Sequence, residues 1–81
     1  MIKIRLKCFS QVKYALGKNE IFFELENGAS TDDLEKIVRK KAEGKLNDVA
    51  LSTALNKKYI SKNTELEDGD EVAFIPPVQG G

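Results

Sequence analysis

The sequence predicts an α+β domain in which a mixed sheet of about five strands packs against one main helix, with short extra helices. Three observations predict it. Apolar and basic residues alternate strictly at the N-terminus, in IKIRLKC. One amphipathic stretch, ASTDDLEKIVRKKAEG, lies mid-chain. Short apolar runs bounded by turn residues stand on both sides of it, the last being VAFI.

Residues 2–8 form the first strand. Ile2, Ile4, Leu6 and Cys8 point to one side and Lys3, Arg5 and Lys7 to the other, the period of a half-buried strand. In FSQVKYALG the apolar positions Phe9, Val12 and Leu16 are spaced by three and four, which predicts a short helix closed by Gly17. EIFFEL follows, with Ile21, Phe23 and Leu25 on one face and turn signals at both ends. The first two strands therefore make a hairpin with a helical insertion.

Ser30 or Thr31 caps the main helix, and Asp32, Asp33 and Glu35 suit the positive end of its dipole. Leu34, Ile37, Val38 and Ala42 form its apolar stripe, and Gly44 stops it. In residues 45–50, Leu46 and Val49 are the core candidates. LSTALN and the YI after Lys57-Lys58 read as a strand, a turn and a short strand. Asp68-Gly69 turns the chain into a last strand, Glu71–Ile75, which ends at Pro76-Pro77 because proline cannot donate to a ladder. A right-handed crossover through the single long helix places the first and last strands side by side and parallel. That layout is the ubiquitin-like β-grasp. Residues 1–75 then form the domain, and residues 76–81 a flexible C-terminal tail ending in Gly-Gly. Ile4, Leu6, Phe23, Leu34, Ile37, Val38 and Val72 are the expected core.

Composition excludes several functions. Thirteen basic and 13 acidic residues cancel and are interspersed, so the basic face that nucleic acid needs is absent. No apolar run approaches the roughly 18 residues of a membrane span. The N-terminus lacks the uninterrupted apolar segment of a signal peptide. With one cysteine and no histidine, a reducing, cytoplasmic setting is expected.

Side-chain chemistry is sparse. Cys8 has no histidine partner and shares a face with Ile2, Ile4 and Leu6, so it reads as a small buried hydrophobe rather than a nucleophile. Asp32 and Asp33 suit a helix start. Glu65, Glu67, Asp68, Asp70 and Glu71 lack the spacing of a calcium loop and read as turn and cap residues. No metal site and no cofactor is expected. For Lys57-Lys58, turn chemistry and the docking of an acidic partner are equally open. No phosphate-binding loop, dinucleotide fingerprint or zinc motif is present.

There remains the ending, PPVQGG. A Gly-Gly terminus arises by chance in about 0.5% of chains, so by itself it is only suggestive. Its placement says more. It leaves directly from a strand that should be central, through two prolines that limit its wandering. Six extended residues reach roughly 20 Å, and the last two, without side chains, fit a narrow channel. Such a probe presents the α-carboxylate of Gly81. A carboxylate is a poor electrophile until a partner adenylates it. The mixed anhydride is then open to capture by sulfur, as a thiocarboxylate, or by a cysteine or lysine, as a conjugate.

These residues resemble a known family, the MoaD-like sulfur carriers that form the small subunit of molybdopterin synthase. The resemblance is strongest in DGDEVAFIPPVQGG, residues 68–81. It extends to FSQVKYALG, TDDLEKIV and ALNKKYI, and weakly to the whole chain. Thiamine-pathway carriers share the Gly-Gly ending but are usually shorter and lack the PPV lead-in. The resemblance implies that an E1-like adenylyltransferase activates Gly81 and that a sulfurtransferase supplies the sulfur of a thiocarboxylate. Gly80 and Gly81 then carry that sulfur to cyclic pyranopterin monophosphate in the large subunit of the synthase, within a heterotetramer. The chain is then not an enzyme by itself, since the catalytic residues belong to the large subunit. It also implies that Phe9, Tyr59 and Ile75, with the tail residues Pro76, Pro77, Val78 and Gln79, meet the large subunit. Tyr59 and Ile75 stand where the family more usually has Leu and Phe. Three other readings compete: a carrier of thiamine thiazole type, a ubiquitin-like protein modifier, and an interaction module with an inert tail.

Overall fold

The first strand, β1 (Ile2–Cys8), is paired on both sides, and the rest of the chain is arranged around it. The structure, a computed structural model, describes residues 1–77. Its elements run β1, α1 (Ser10–Leu16), β2 (Glu20–Leu25), α2 (Thr31–Lys41), β3 (Ser52–Leu55), β4 (Lys58–Ile60) and β5 (Glu71–Ile75). The five strands form one mixed sheet in the order β2-β1-β5-β3-β4. β1 pairs antiparallel with β2, with Ile4 opposite Phe23, and parallel with β5, with Leu6 opposite Val72. β3 runs antiparallel to both β5 and β4. This is the expected β-grasp.

Alternation puts Ile4, Leu6 and Cys8 of β1 and Val72 and Phe74 of β5 on the inner face, where Leu34, Val38 and Ala42 of α2 complete the core with Val12, Leu25, Leu46 and Leu66. Burying a side chain of this size is worth roughly 1.5–3 kcal/mol, which is why so short a chain concentrates its apolar residues on one face.

Two expected core residues are placed differently. Ile37 is 39% exposed. Leu34, Val38 and Ala42 follow one another at intervals of four and occupy the line of contact, which leaves Ile37 at the rim of the helix face beside Leu25, Gly28 and Ala29. Phe23 is half-buried against the core, on the edge strand β2. Val49 is likewise half-buried, while Leu46 is fully buried.

Ser30, rather than Thr31, caps α2. Its hydroxyl accepts from the Asp33 amide at 3.3 Å, and the Asp33 carboxylate accepts from the Ser30 amide at 2.9 Å, a reciprocal capping box. These bonds hold the Asp33 carboxyl below the usual carboxylate range, the Ser30 amide contributing most. Thr31 is buried instead. Its amide donates to the Thr64 carbonyl, and the Asn63 side-chain oxygen accepts from the Asp32 amide. At the other end the chain turns through Glu43 and Gly44, both at positive φ. Arg39 ties the following loop back to the helix, donating to the Leu46 carbonyl at 2.6 Å, the Val49 carbonyl at 2.9 Å and the Glu35 carboxylate at 2.9 Å.

Two members of the acidic run near the last turn are engaged in local hydrogen bonds. Asp68 accepts from the Lys3 amide and Asp70 from the Glu67 amide and the Asn56 side chain. Gly69, at φ 89°, donates to the Lys3 carbonyl. This stitching fixes where β5 begins and therefore where it ends.

Candidate functional site

The sheet face turned away from α2 is not uniformly polar. Ala54 of β3 and Ala73 of β5 lie opposite each other in register on that face and are each only 7% exposed. They floor a cleft of about 250 Å³ walled by Phe9, Tyr59 and Ile75, with Lys57 and Glu71 at its rim. Phe9 is 49% exposed and Tyr59 69%. Large apolar side chains gathered around a small-residue floor make this cleft the candidate surface for a partner.

Each wall is placed by a local feature. Phe9 was expected inside a helix, but it stands just before α1, in extended backbone, and its carbonyl accepts from the Val12 amide. Being outside the helix turns its ring away from the core that Val12 enters. Tyr59 lies opposite Ala54 on β4. Ile75 ends β5 opposite Ser52. Pro76, next in the chain, is buried, and Pro77 is exposed. The predicted residues Phe9, Tyr59 and Ile75 thus come together. Val78, Gln79, Gly80 and Gly81 lie outside the described residues.

Sequence reasoning missed the floor and the part of the rim that Glu71 forms; Lys57, left open between turn chemistry and docking, stands in the turn and at the rim. Ala54 and Ala73 fall at alternating positions that should face solvent, and two apolar residues there were the available signal. Glu71 was read as a turn residue. Its side chain instead accepts from Arg5 at 2.5 Å, and Arg5 also reaches Glu20 at 3.6 Å, so one guanidinium links β5, β1 and β2 across the open face. The turn between β3 and β4 is Asn56-Lys57, both at positive φ, and Asn56 exchanges bonds with Glu71 through its amide and its side chain.

Cys8 is buried in the core, and burial pushes its thiol pKa up. Among the described residues, no three His, Cys, Asp or Glu side chains are placed to hold a metal ion, and no helix is long and apolar enough to cross a membrane.

A β-grasp domain whose open face carries an apolar cleft beside the strand that delivers the chain's own C-terminus belongs to the class of ubiquitin-like proteins. Comparison with known proteins narrows the class. The ThiS family profile matches residues 6–81. A molybdopterin synthase sulfur carrier subunit from Chlamydomonas reinhardtii is 38% identical over 85 residues, covering 99% of this chain and all of that protein. A solved structure from Pyrococcus furiosus, described as a putative molybdopterin converting factor subunit 1, superposes with a TM-score of 0.85 at 31% identity, covering 96% of this chain and 100% of the other. A chain in the complex of subunits 1 and 2 of the molybdopterin-converting factor of Helicobacter pylori superposes with a TM-score of 0.70 at 28% identity, covering 99% of this chain and all of its own. The chain belongs to the ThiS/MoaD family.

Proposed function

We propose that this chain is the sulfur carrier and small subunit of a molybdopterin synthase, acting in the cytoplasm. What carries the reading is similarity along the whole length to molybdopterin synthase sulfur carrier subunits, joined to the position of the cleft beside β5. The body, residues 1–75, docks; the tail, residues 76–81, reacts.

The chemistry begins at Gly81. Its carboxylate attacks the α-phosphate of ATP on an E1-like adenylyltransferase, and pyrophosphate leaves. A persulfide carried by a sulfurtransferase attacks the acyl carbon and AMP leaves; a second thiol then cleaves the resulting acyl disulfide, ending in a disulfide with the donor and leaving a C-terminal thiocarboxylate on Gly81. The tail then enters the large subunit, which supplies the catalytic base and the pocket for cyclic pyranopterin monophosphate; the thiocarboxylate sulfur bonds to a substrate carbon, and water cleaves the resulting thioester, leaving sulfur on the substrate and the carboxylate on Gly81. Two large and two small subunits form the working heterotetramer. This chain contributes the reach of the tail, the bareness of Gly80 and Gly81, and the cleft that registers the tail against its partner. Misplacement by about 1 Å can cost roughly 100-fold in rate, so docking is part of the chemistry.

The test adds one residue after Gly81, which moves the carboxylate by up to about 3.6 Å. The extended chain should fold normally and yield no thiocarboxylate with the activating enzyme and a sulfur source, whereas the unmodified chain gains the mass of one sulfur-for-oxygen exchange. Sulfur transfer at the normal rate by an untrimmed extended chain would sink the carrier reading. Isopeptide-linked conjugates in place of sulfur transfer would make the chain a modifier.

A further inference from the structure

Lys57 sits in a conformation that suits it poorly. The two-residue Asn56-Lys57 loop joins β3 to β4 with φ of 50° and 72°, the pattern of a type I′ hairpin turn. That turn needs left-handed backbone at both positions. Asparagine is at home at the first, and glycine is the preferred second residue because it has no Cβ. A lysine here relinquishes some of the stability that glycine would supply. Non-glycine residues held in the left-handed region concentrate at functional sites.

The same residue lines the docking cleft with Phe9, Tyr59 and Ile75. A lysine in such a place lays its aliphatic stem along the apolar wall and keeps its ammonium in water. The lining of the cleft holds one cation, Lys57, and one carboxylate, Glu71. Glu71 is engaged by Arg5. Lys7 lies opposite Ala73 on the neighbouring strand. The cleft therefore offers an apolar socket under a cationic rim.

We propose that Lys57 determines specificity in docking: its ammonium engages a carboxylate on the synthase large subunit, next to the apolar side chain that fills the cleft. This rests on the reading of the cleft as the face that meets the large subunit. A rim charge of this kind acts mainly on the association rate and its salt dependence, and it discriminates against partners with a cation at the same place.

The test measures stability and binding on the same variants, using the large subunit from the chain's own organism. Lys57→Gly should raise the urea midpoint by about 0.2–0.5 M, because the left-handed position is relieved. It should weaken binding about two- to fivefold at low salt, chiefly through slower association. The difference should close near 1 M salt, where the screening length falls to about 3 Å. Lys57→Arg should bind like the unmodified chain, and Lys57→Glu more weakly than Lys57→Gly. A residue that merely shaped the turn would not give opposite signs in the two readouts. If Lys57→Gly binds normally at low salt while Ile75→Asp binds at least about fivefold more weakly, the role of Lys57 is overturned and the docking face stands. If Ile75→Asp also binds normally, the docking face is overturned and the role of Lys57 with it.

Discussion

Ala54 and Ala73 face each other across the β3–β5 ladder on the side of the sheet that has no helix over it, and both are nearly closed to solvent. Opposed residues of an antiparallel pair bring their Cβ atoms to about 4.5–5.5 Å, so two alanines leave a hollow where larger residues would leave none. Ala73→Leu should fill that hollow. Because the added atoms enter a cleft and not the core, the urea midpoint should move little, by less than about 1 kcal/mol in stability. Affinity for a synthase large subunit should drop by about tenfold or more, measured by titration calorimetry. Unchanged affinity would place the contact elsewhere.

Leu34 and Ile37 are both on α2, one fully buried and the other at the rim. Leu34→Ala should cost about 2–5 kcal/mol, since it removes a core side chain and leaves a cavity. Ile37→Ala should cost less than about 1 kcal/mol. Urea unfolding of the two variants checks the assignment of the helix face, and equal losses would contradict it.

The loop after α2 depends on one side chain. Arg39→Met keeps the stem and removes the donors to the Leu46 and Val49 carbonyls, so stability should fall by about 1–3 kcal/mol. Amide hydrogen exchange in residues 43–50 should rise in the same variant, while that of β1 falls in protection only as far as global stability does.

Acid should act through the α2 cap. The folded pKa of Asp33 is depressed, so its contribution is present above the unfolded carboxylate value, about 3.9, and is lost as pH falls through the lower folded value. Asp33→Asn should be less stable than the unmodified chain at neutral pH, and the two urea midpoints should converge as the pH falls through the depressed folded value. Parallel curves across that range would mean that the box contributes nothing.

Cys8 is buried with a raised thiol pKa, so a disulfide-exchange reagent at pH 8 should label the folded protein only at the rate of its opening, and the urea-unfolded protein at once. Rapid labelling of the folded chain would show that the strand carrying it is not closed.

The strands were legible because period-two alternation directly reports one buried face: β1 and β5 fall where alternation and the flanking turn residues put them. The extent of the main helix was legible from its stripe. Other features depend on residues distant in sequence. Whether Ser30 or Thr31 caps α2 is decided by Thr64, whose carbonyl draws the Thr31 amide inward. The start of α1 is set by where β1 stops pairing with β5 at Cys8, which leaves Phe9 outside the helix despite its helical spacing. Residues 43–50 carry no periodicity, and it is the guanidinium of Arg39 that shapes them. For the cleft, the three walls, Phe9, Tyr59 and Ile75, were named through the family resemblance. Its floor was missed, since only the alternation, and not the alanines themselves, marks Ala54 and Ala73 as outward.

The parallel pairing of β1 with β5 has a consequence for how the protein is made. The first strand synthesised needs the last as its neighbour, and roughly sixty residues lie between them, several seconds of translation at about 5–20 residues per second. Until Val72 and Phe74 emerge, one flank of β1 is bare and the inner face has no lid at its centre. A chain cut short anywhere before β5 is therefore left open and sticky, a natural client for chaperones and proteases. Completing the sheet and producing β5 are one event, so a chain that shows the finished fold has already been translated through Ile75.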